Sequence, residues 1–160
     1  MAASGKKASA SASLASNSRA RREYHILDTI ECGVELKGTE VKSIRAGKVS
    51  LKESFGAVQN GEVVLFNLRV EPYSHGNQFN HDPIRPKRLL LHRAEIIRIH
   101  AQVTRKGQTL VPLRLYLKRG RVKVALALAR GKDVVDKRET LKRRTADREA
   151  QRAIAIHRRR

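Results

Sequence analysis

His75, His81 and Asp82 fall within one short stretch, and two imidazoles beside a carboxylate are the equipment of general acid–base chemistry, RNA cleavage included. The local sequence argues for something plainer. In Asn80-His81-Asp82-Pro83 the Asn and Asp side chains can bond nearby backbone while proline fixes a turn, so the stretch reads as turn chemistry. Glu31 is a second candidate, an acid on an otherwise basic surface. It can form a local salt bridge, or its carboxylate can accept hydrogen bonds from a base edge and read RNA. His100 lies on the apolar stripe of a predicted helix and is expected to be packed. Cys32, the one cysteine, shares parity with the apolar residues of its strand and is expected as a small buried thiol. The sequence has no phosphate-cradling GxxxxGK[ST] and no HExxH, and no clustered zinc ligands. Neither catalysis nor a metal or cofactor is expected.

The elements that position these residues follow from periodicity. Tyr24, Ile26, Ile30, Cys32, Val34 and Leu36 occupy even positions with Asp28 the only break, which predicts a long half-buried strand with Glu31 on its outer side. A short helix is predicted over 39–46, with Val41 and Ile44 inward and Gly47 as its stop. Strands over 55–58 and 63–70 flank Asn60-Gly61, a pair suited to a type I′ hairpin turn. In the second strand Val64, Phe66, Leu68 and Val70 would share one face. Residues 71–87 hold three prolines and read as a long loop. A helix over 92–105 carries Ile96, Ile99, His100 and Val103 at helical spacing and ends at Gly107. If Arg119-Gly120 is the next turn, Lys118 pairs with Arg121 and Leu117 with Val122. Outward from there Leu115 pairs with Val124, Leu113 with Leu126 and Val111 with Leu128. The opposite face then carries Arg114, Tyr116, Lys118, Arg121 and Lys123.

These elements make a mainly β chain with short helices: a small antiparallel, partly open OB-like barrel over 19–131. A four-stranded sheet with two helices on one face is the rival topology. Residues 1–18 are expected to be a disordered Ala/Ser-rich leader, and 132–160 a basic C-terminal tail.

Charge narrows the function. The formal net charge is +20 over 160 residues, and the stretch from Arg130 to the end carries +7 of it. Such an excess repels itself and calls for a polyanion. No segment approaches the roughly 20 apolar residues of a membrane span. The leader lacks the apolar run of a signal peptide, so a reducing, cytoplasmic setting and a nucleic-acid partner are expected. The tail is rich in helix formers and poor in large apolar residues. Helical spacing gathers Lys137, Arg144, Arg148 and Arg152 on one side. Of six aromatics only Tyr73, Phe79 and Tyr116 are expected to be exposed, which favours recognition of a folded RNA by shape and phosphate over base stacking.

Several motifs together resemble the SsrA-binding protein (small protein B) family. They are Arg19-Ala20-Arg21 before Tyr24, Gly38-Thr39-Glu40-Val41-Lys42-Ser43, and Arg45-Ala46-Gly47. Further along come Asn80-His81-Asp82-Pro83, Lys87-Arg88-Leu89-Leu90-Leu91-His92, and Ala129-Arg130-Gly131-Lys132 leading to Asp136-Lys137-Arg138. They run in order over about residues 17–145. The resemblance implies an oligonucleotide-binding-type barrel that holds the tRNA-like domain of transfer-messenger RNA (tmRNA, SsrA RNA). It implies a tail that is helical when bound, in the empty mRNA channel of a stalled ribosome. The implied partners are tmRNA, the stalled ribosome with its 16S rRNA and nearby large subunit, and elongation factor Tu indirectly through alanyl-tmRNA; the protein itself would be monomeric. Carried over by position, the tmRNA-binding residues are Asn17, Arg19, Arg21, Glu31, Lys42, Arg45, Lys87, Arg88 and Lys123. Those for the decoding centre are Lys132, Asp136, Lys137, Arg138 and Lys142. The chain departs from the family pattern at Asp133, where a second Lys is common, and at Val135, where a His or aromatic often stands. The alternatives are a generic rRNA-binding ribosomal protein and a small RNA-processing enzyme using His81 or Glu31.

Overall fold

The computed structural model describes residues 12–73 and 82–158. His75, Phe79, Asn80 and His81 lie outside the described residues. In chain order the elements are β1 (Ser13–Ser16), α1 (Ala20–Glu23), β2 (Tyr24–Val34), α2 (Gly38–Arg45), β3 (Val49–Ser50), β4 (Phe55–Gln59), β5 (Glu62–Phe66), β6 (Arg69–Val70), β7 (Lys87–Leu90), α3 (Arg93–Lys106), β8 (Thr109–Lys118), β9 (Arg121–Gly131) and α4 (Val134–Arg158).

Strands β8, β4, β5, β7, β2 and β9 are hydrogen-bonded in that order, and β9 returns to β8. The sheet is therefore a closed antiparallel barrel rather than a partly open one, and the four-stranded alternative is set aside. Closure leaves few unpaired strand edges. The interior is filled by Ile30, Cys32, Val63, Leu65, Leu89, Leu110, Leu115, Val124 and Leu126. Helix α3 packs Ile96, Ile99 and Val103 against this core. It starts in a capping box, His92 reciprocating with Glu95, and ends on Gly107 at φ 59°.

Both predicted hairpin turns are present. Asn60 and Gly61 take φ 51° and 75°, and Arg119 and Gly120 take 51° and 74°, as type I′ turns require. The β8–β9 register matches expectation from Lys118–Arg121 through Leu115–Val124. Beyond that it differs. A bulge at Leu113 shifts the pairing by one, so Pro112 faces Leu126 and Val111 faces Ala127. Proline has no N–H for the ladder, and a bulge is where a strand accommodates it. The shift carries Leu110 into the barrel and turns Val111 outward. There it joins Ala20 and Ala129 in a second apolar cluster, with Tyr24, Ile26 and Leu113 packed on it.

Three other expectations change. Residues 63–70 are two strands, because Asn67 at φ 58° breaks the run. The break reverses parity, burying Val63 and Leu65 before it and Leu68 and Val70 after it, and leaving Val64 and Phe66 on the outer side. Residues 13–16, placed in the leader by composition, form β1 along β8, with Ser13 opposite Tyr116 and Ser16 opposite Arg114. This covers the part of the β8 edge that β4 leaves open, since β4 meets β8 only at Gly56–Leu110. His100 is exposed rather than packed, because the inward stripe of α3 runs through Ile96, Ile99 and Val103 alone.

The tail is the helix α4, about 37 Å long at about 1.5 Å per residue. Val135, Leu141, Ile154 and Ile156 are all exposed on it. Among the described residues, no helix is long and apolar enough to cross a membrane.

Candidate nucleic-acid interface

The strand parity of β2 places Glu31 outside the barrel, as expected, and there it is tightly engaged. Glu31 Oε2 accepts the Tyr116 hydroxyl, and Oε1 lies 3.0 Å from Lys118 Nζ. The hydroxyl bond, then Lys118, hold the Glu31 carboxyl below its usual range. Tyr116 is correspondingly not an exposed ring. It is 4% exposed, its phenol pushed upward by burial and by the bond to Glu31, and Arg114 covers it at 4.5 Å from the ring centroid. Parity put Tyr116 on the outer face correctly, but Arg114 lies over its ring and Ser13 of β1 pairs alongside it.

Glu31, Lys123 and Arg88 line one cleft of about 500 Å3 together with Leu90 and His92. Gly33 lets β7 approach there, since a Cβ on it would sit 3.3 Å from Leu90 Cβ. Arg88 spans two carboxylates, with Nε donating to Glu35 and Nη1 to Glu62, each at 2.8 Å. Half of its side chain still faces solvent. These two bonds use two of the five in-plane N–H donors, and the other three can meet a phosphate.

Lys87 belongs elsewhere. Its side chain is fully buried, donating from Nζ to Arg85 O at 2.7 Å and Leu68 O at 3.3 Å. Burial pushes its ammonium down from the ordinary lysine range, against the pull of Glu40. On α2, Arg45 Nη2 donates to Gly120 O at 2.9 Å, tying the helix to the β8–β9 turn, and Lys42 Nζ lies 5.4 Å from the Tyr73 ring centroid. Both side chains are exposed.

At the other end of the barrel, Asn17 serves the bulge. Its Nδ2 donates to Pro112 O at 3.1 Å and its backbone N–H to Leu113 O at 2.8 Å. Arg19 is half exposed beside Glu23 and Glu53, and Arg21 is exposed on α1. In the tail, Lys132 and Asp136 bond to the barrel, whereas Arg138 and Lys142 point to solvent and Lys137 is half-buried. Among the described residues, no carboxylate lies within ion-pair distance of Lys137, Arg138 or Lys142. The nine barrel candidates thus fall into three groups, with buried Lys87 apart. Glu31, Arg88 and Lys123 share a cleft, Lys42 and Arg45 share a helix, and Asn17, Arg19 and Arg21 surround the α1 corner.

Two features escape the sequence reading. Phe55 is 43% exposed and stacks on Phe66 with ring centroids 5.4 Å apart. The Asn67 break that reverses the parity of β5 is what puts this pair outside. The Tyr116–Glu31 bond is the other, although parity places both residues on the outer face. Cys32 is buried as expected, its thiol pushed up to about 12 by desolvation. Among the described residues, no group of three or more His, Cys, Asp or Glu could hold a metal ion.

The family profile described as "SmpB protein" matches residues 14–156. The chain belongs to the SmpB family. The match begins inside β1 and runs almost to the end of α4. An "SsrA-binding protein" of Desulforudis audaxviator is 56% identical over 137 residues, covering 86% of this chain and 90% of that protein. Another, of Pelotomaculum thermopropionicum, is 54% identical over 138 residues, with the same two coverages. A solved structure described as "tmRNA-SmpB: a journey to the center of the bacterial ribosome" superposes with a TM-score of 0.64 at 49% identity. It covers 80% of this chain and 94% of the solved one.

Proposed function

We propose that this chain is the RNA-binding adaptor of bacterial ribosome rescue, working in the cytoplasm as a monomer and performing no chemistry itself. Its barrel binds the tRNA-like domain of tmRNA, and α4 enters the empty mRNA channel of a stalled ribosome to meet 16S rRNA at the decoding centre. Elongation factor Tu joins through alanyl-tmRNA. The observation that carries this reading is α4 itself. It is 25 residues long, strongly basic and exposed over most of its length beyond the root, and it is rooted on a barrel whose wall is also basic. A helix with so little apolar contact to its own protein has its basic face available for a polyanion. The names of the relatives, SsrA-binding proteins and a tmRNA–SmpB structure, point the same way.

On the barrel, Arg88, Lys123, Lys42, Arg45, Arg19 and Arg21 supply charge, and Glu31 offers acceptor oxygens. Asn17 and Lys87 act by holding backbone in place. In the tail, Lys137, Arg138 and Lys142 meet rRNA. Truncation after Gly131 tests the division of labour. Affinity for tmRNA should stay nearly intact while tagging on stalled ribosomes is abolished. A large loss of tmRNA affinity would refute it, and so would tagging that survives truncation.

A further inference from the structure

The root of α4 is held by four side-chain hydrogen bonds. Lys132 lies between β9 and α4, and its backbone N–H donates to Glu23 O at 2.9 Å. Its Nζ donates to Arg21 O on α1 at 3.0 Å and to Thr140 Oγ1 at 2.9 Å. Thr140 Oγ1 donates in turn to Asp136 O at 2.9 Å. Asp136 Oδ2 lies 3.2 Å from His25 Nε2 on β2. An ionised carboxylate can only accept, so that ring nitrogen carries the proton. The short stretch from Arg21 on α1 to His25 at the start of β2, 111 residues away in sequence from Lys132 and Asp136, therefore holds one face of the first two turns of the helix, since Asp136 and Thr140 are one turn apart.

We infer that Lys132 and His25 are positioning residues for the tail, a clamp that sets the direction in which α4 leaves the barrel. Lys132 and Asp136 then act toward the protein, and the RNA-facing charge of the tail begins at Lys137. The inference deepens the adaptor reading and rests on it for its consequence, though the clamp itself stands on geometry alone. A single linker cannot aim a helix, because rotation about the 131–133 backbone would sweep its far end through tens of ångströms. Two off-axis bonds remove that freedom. A helix delivered in one orientation loses less entropy on entering a narrow channel.

The test uses the full chain. Lys132→Met keeps the aliphatic stem and loses the ammonium; His25→Phe keeps a ring and loses the donor; His25→Gln restores an N–H donor. Each bond is a single partly exposed link, so amide exchange at residues 136–142 of the free protein should rise about three- to tenfold in the first two variants. It should return to within about twofold of the parent in His25→Gln. Tagging on stalled ribosomes should fall as exchange rises, with tmRNA affinity unchanged. If Lys132→Met abolishes tagging while exchange is unaltered, Lys132 touches RNA and the clamp is refuted. Unchanged exchange in both variants refutes it equally. If exchange rises as expected but the parent protein supports no tagging at all, the adaptor reading fails and the clamp stands.

Discussion

Lys87 Nζ lies 3.7 Å from Glu40 Oε2, and neither side chain reaches solvent. Arg85 holds the other oxygen of Glu40, with Nη2 at 2.8 Å and Nε at 2.9 Å. Glu40 Oε2 has no hydrogen-bond partner among the described residues, so the Lys87 charge is its main compensation. The triad joins α2, β7 and the approach to β7.

Removing Lys87 leaves Glu40 Oε2 buried with neither a hydrogen bond nor a facing cation, while Arg85 still holds Oε1. Lys87→Met should therefore destabilise the barrel by about 3–5 kcal/mol, measured by urea unfolding. Lys87→Met combined with Glu40→Gln should cost clearly less than the two single changes added together. Strict additivity would mean that the two side chains do not interact.

Arg88 should behave in the opposite way, although it is the neighbouring residue. It is exposed and makes two surface ion pairs, which contribute little to stability. Arg88→Ala should leave the unfolding midpoint nearly unchanged. Its effect should appear in tmRNA binding, where the slope of log affinity against log salt should flatten by about one for each phosphate that Arg88 neutralises. Lys87→Met, where it remains folded, should keep the parent slope. Equal slopes for parent and Arg88→Ala would place Arg88 away from phosphate.

Glu31 gives a pH signature. Its carboxyl is held below the ordinary value of 4.5 by the Tyr116 hydroxyl first and Lys118 second. The unfolded chain then takes up that proton more readily than the folded one. The stabilisation is complete above 4.5 and is lost as pH falls through the folded value. Glu31→Gln should be less stable than the parent at neutral pH, by no more than about 1 kcal/mol for so exposed a group. The gap should close on acidification. Thermal unfolding at the two pH values measures it, and a gap that persists in acid would remove Glu31 as its source.

The places where sequence reading succeeds and fails have a common cause. Asn60-Gly61, Arg119-Gly120 and Gly107 carry local signals, and each turn or cap forms where it is expected. Parity, by contrast, survives only until one residue interrupts it. Asn67 does so in the middle of residues 63–70, and Leu113 does so beside Pro112. Residues on the two sides of such a break no longer share one parity, so a single alternation misassigns one side. Lys87, carried over by position with Arg88 as an RNA-facing cation, is buried instead. The alternation of β7 pairs it instead with buried Leu89, and Arg88 with exposed Leu90. Glu40 on α2 and the carbonyls of Leu68 and Arg85 make a buried lysine tolerable there, and the proximity of Glu40 is tertiary. The tail is legible as a helix with no core-facing stripe, but its clamp joins residues 111 apart in sequence.

Asp133 stands where the family resemblance implies a second Lys, and the helix gives an aspartate there a local role. It stands immediately before α4, and its carbonyl accepts the first helical bond from Lys137 N–H at 3.0 Å. That is the N-cap position, where aspartate is among the favoured residues and a negative charge meets the positive end of the helix dipole. A lysine there would place like charge against that pole and, unlike aspartate, could offer no side-chain oxygen to the first-turn N–H groups. Asp133→Lys should therefore lower helicity in the first turns of α4, by about 0.5–2 kcal/mol of local stability, read from amide exchange at residues 134–140. Asp133→Asn, which keeps a capping oxygen without the charge, should retain most of the protection. If Asp133→Lys leaves exchange unchanged, the clamp from Lys132 and His25 alone fixes the start of the helix, and Asp133 only lowers the charge of the tail root.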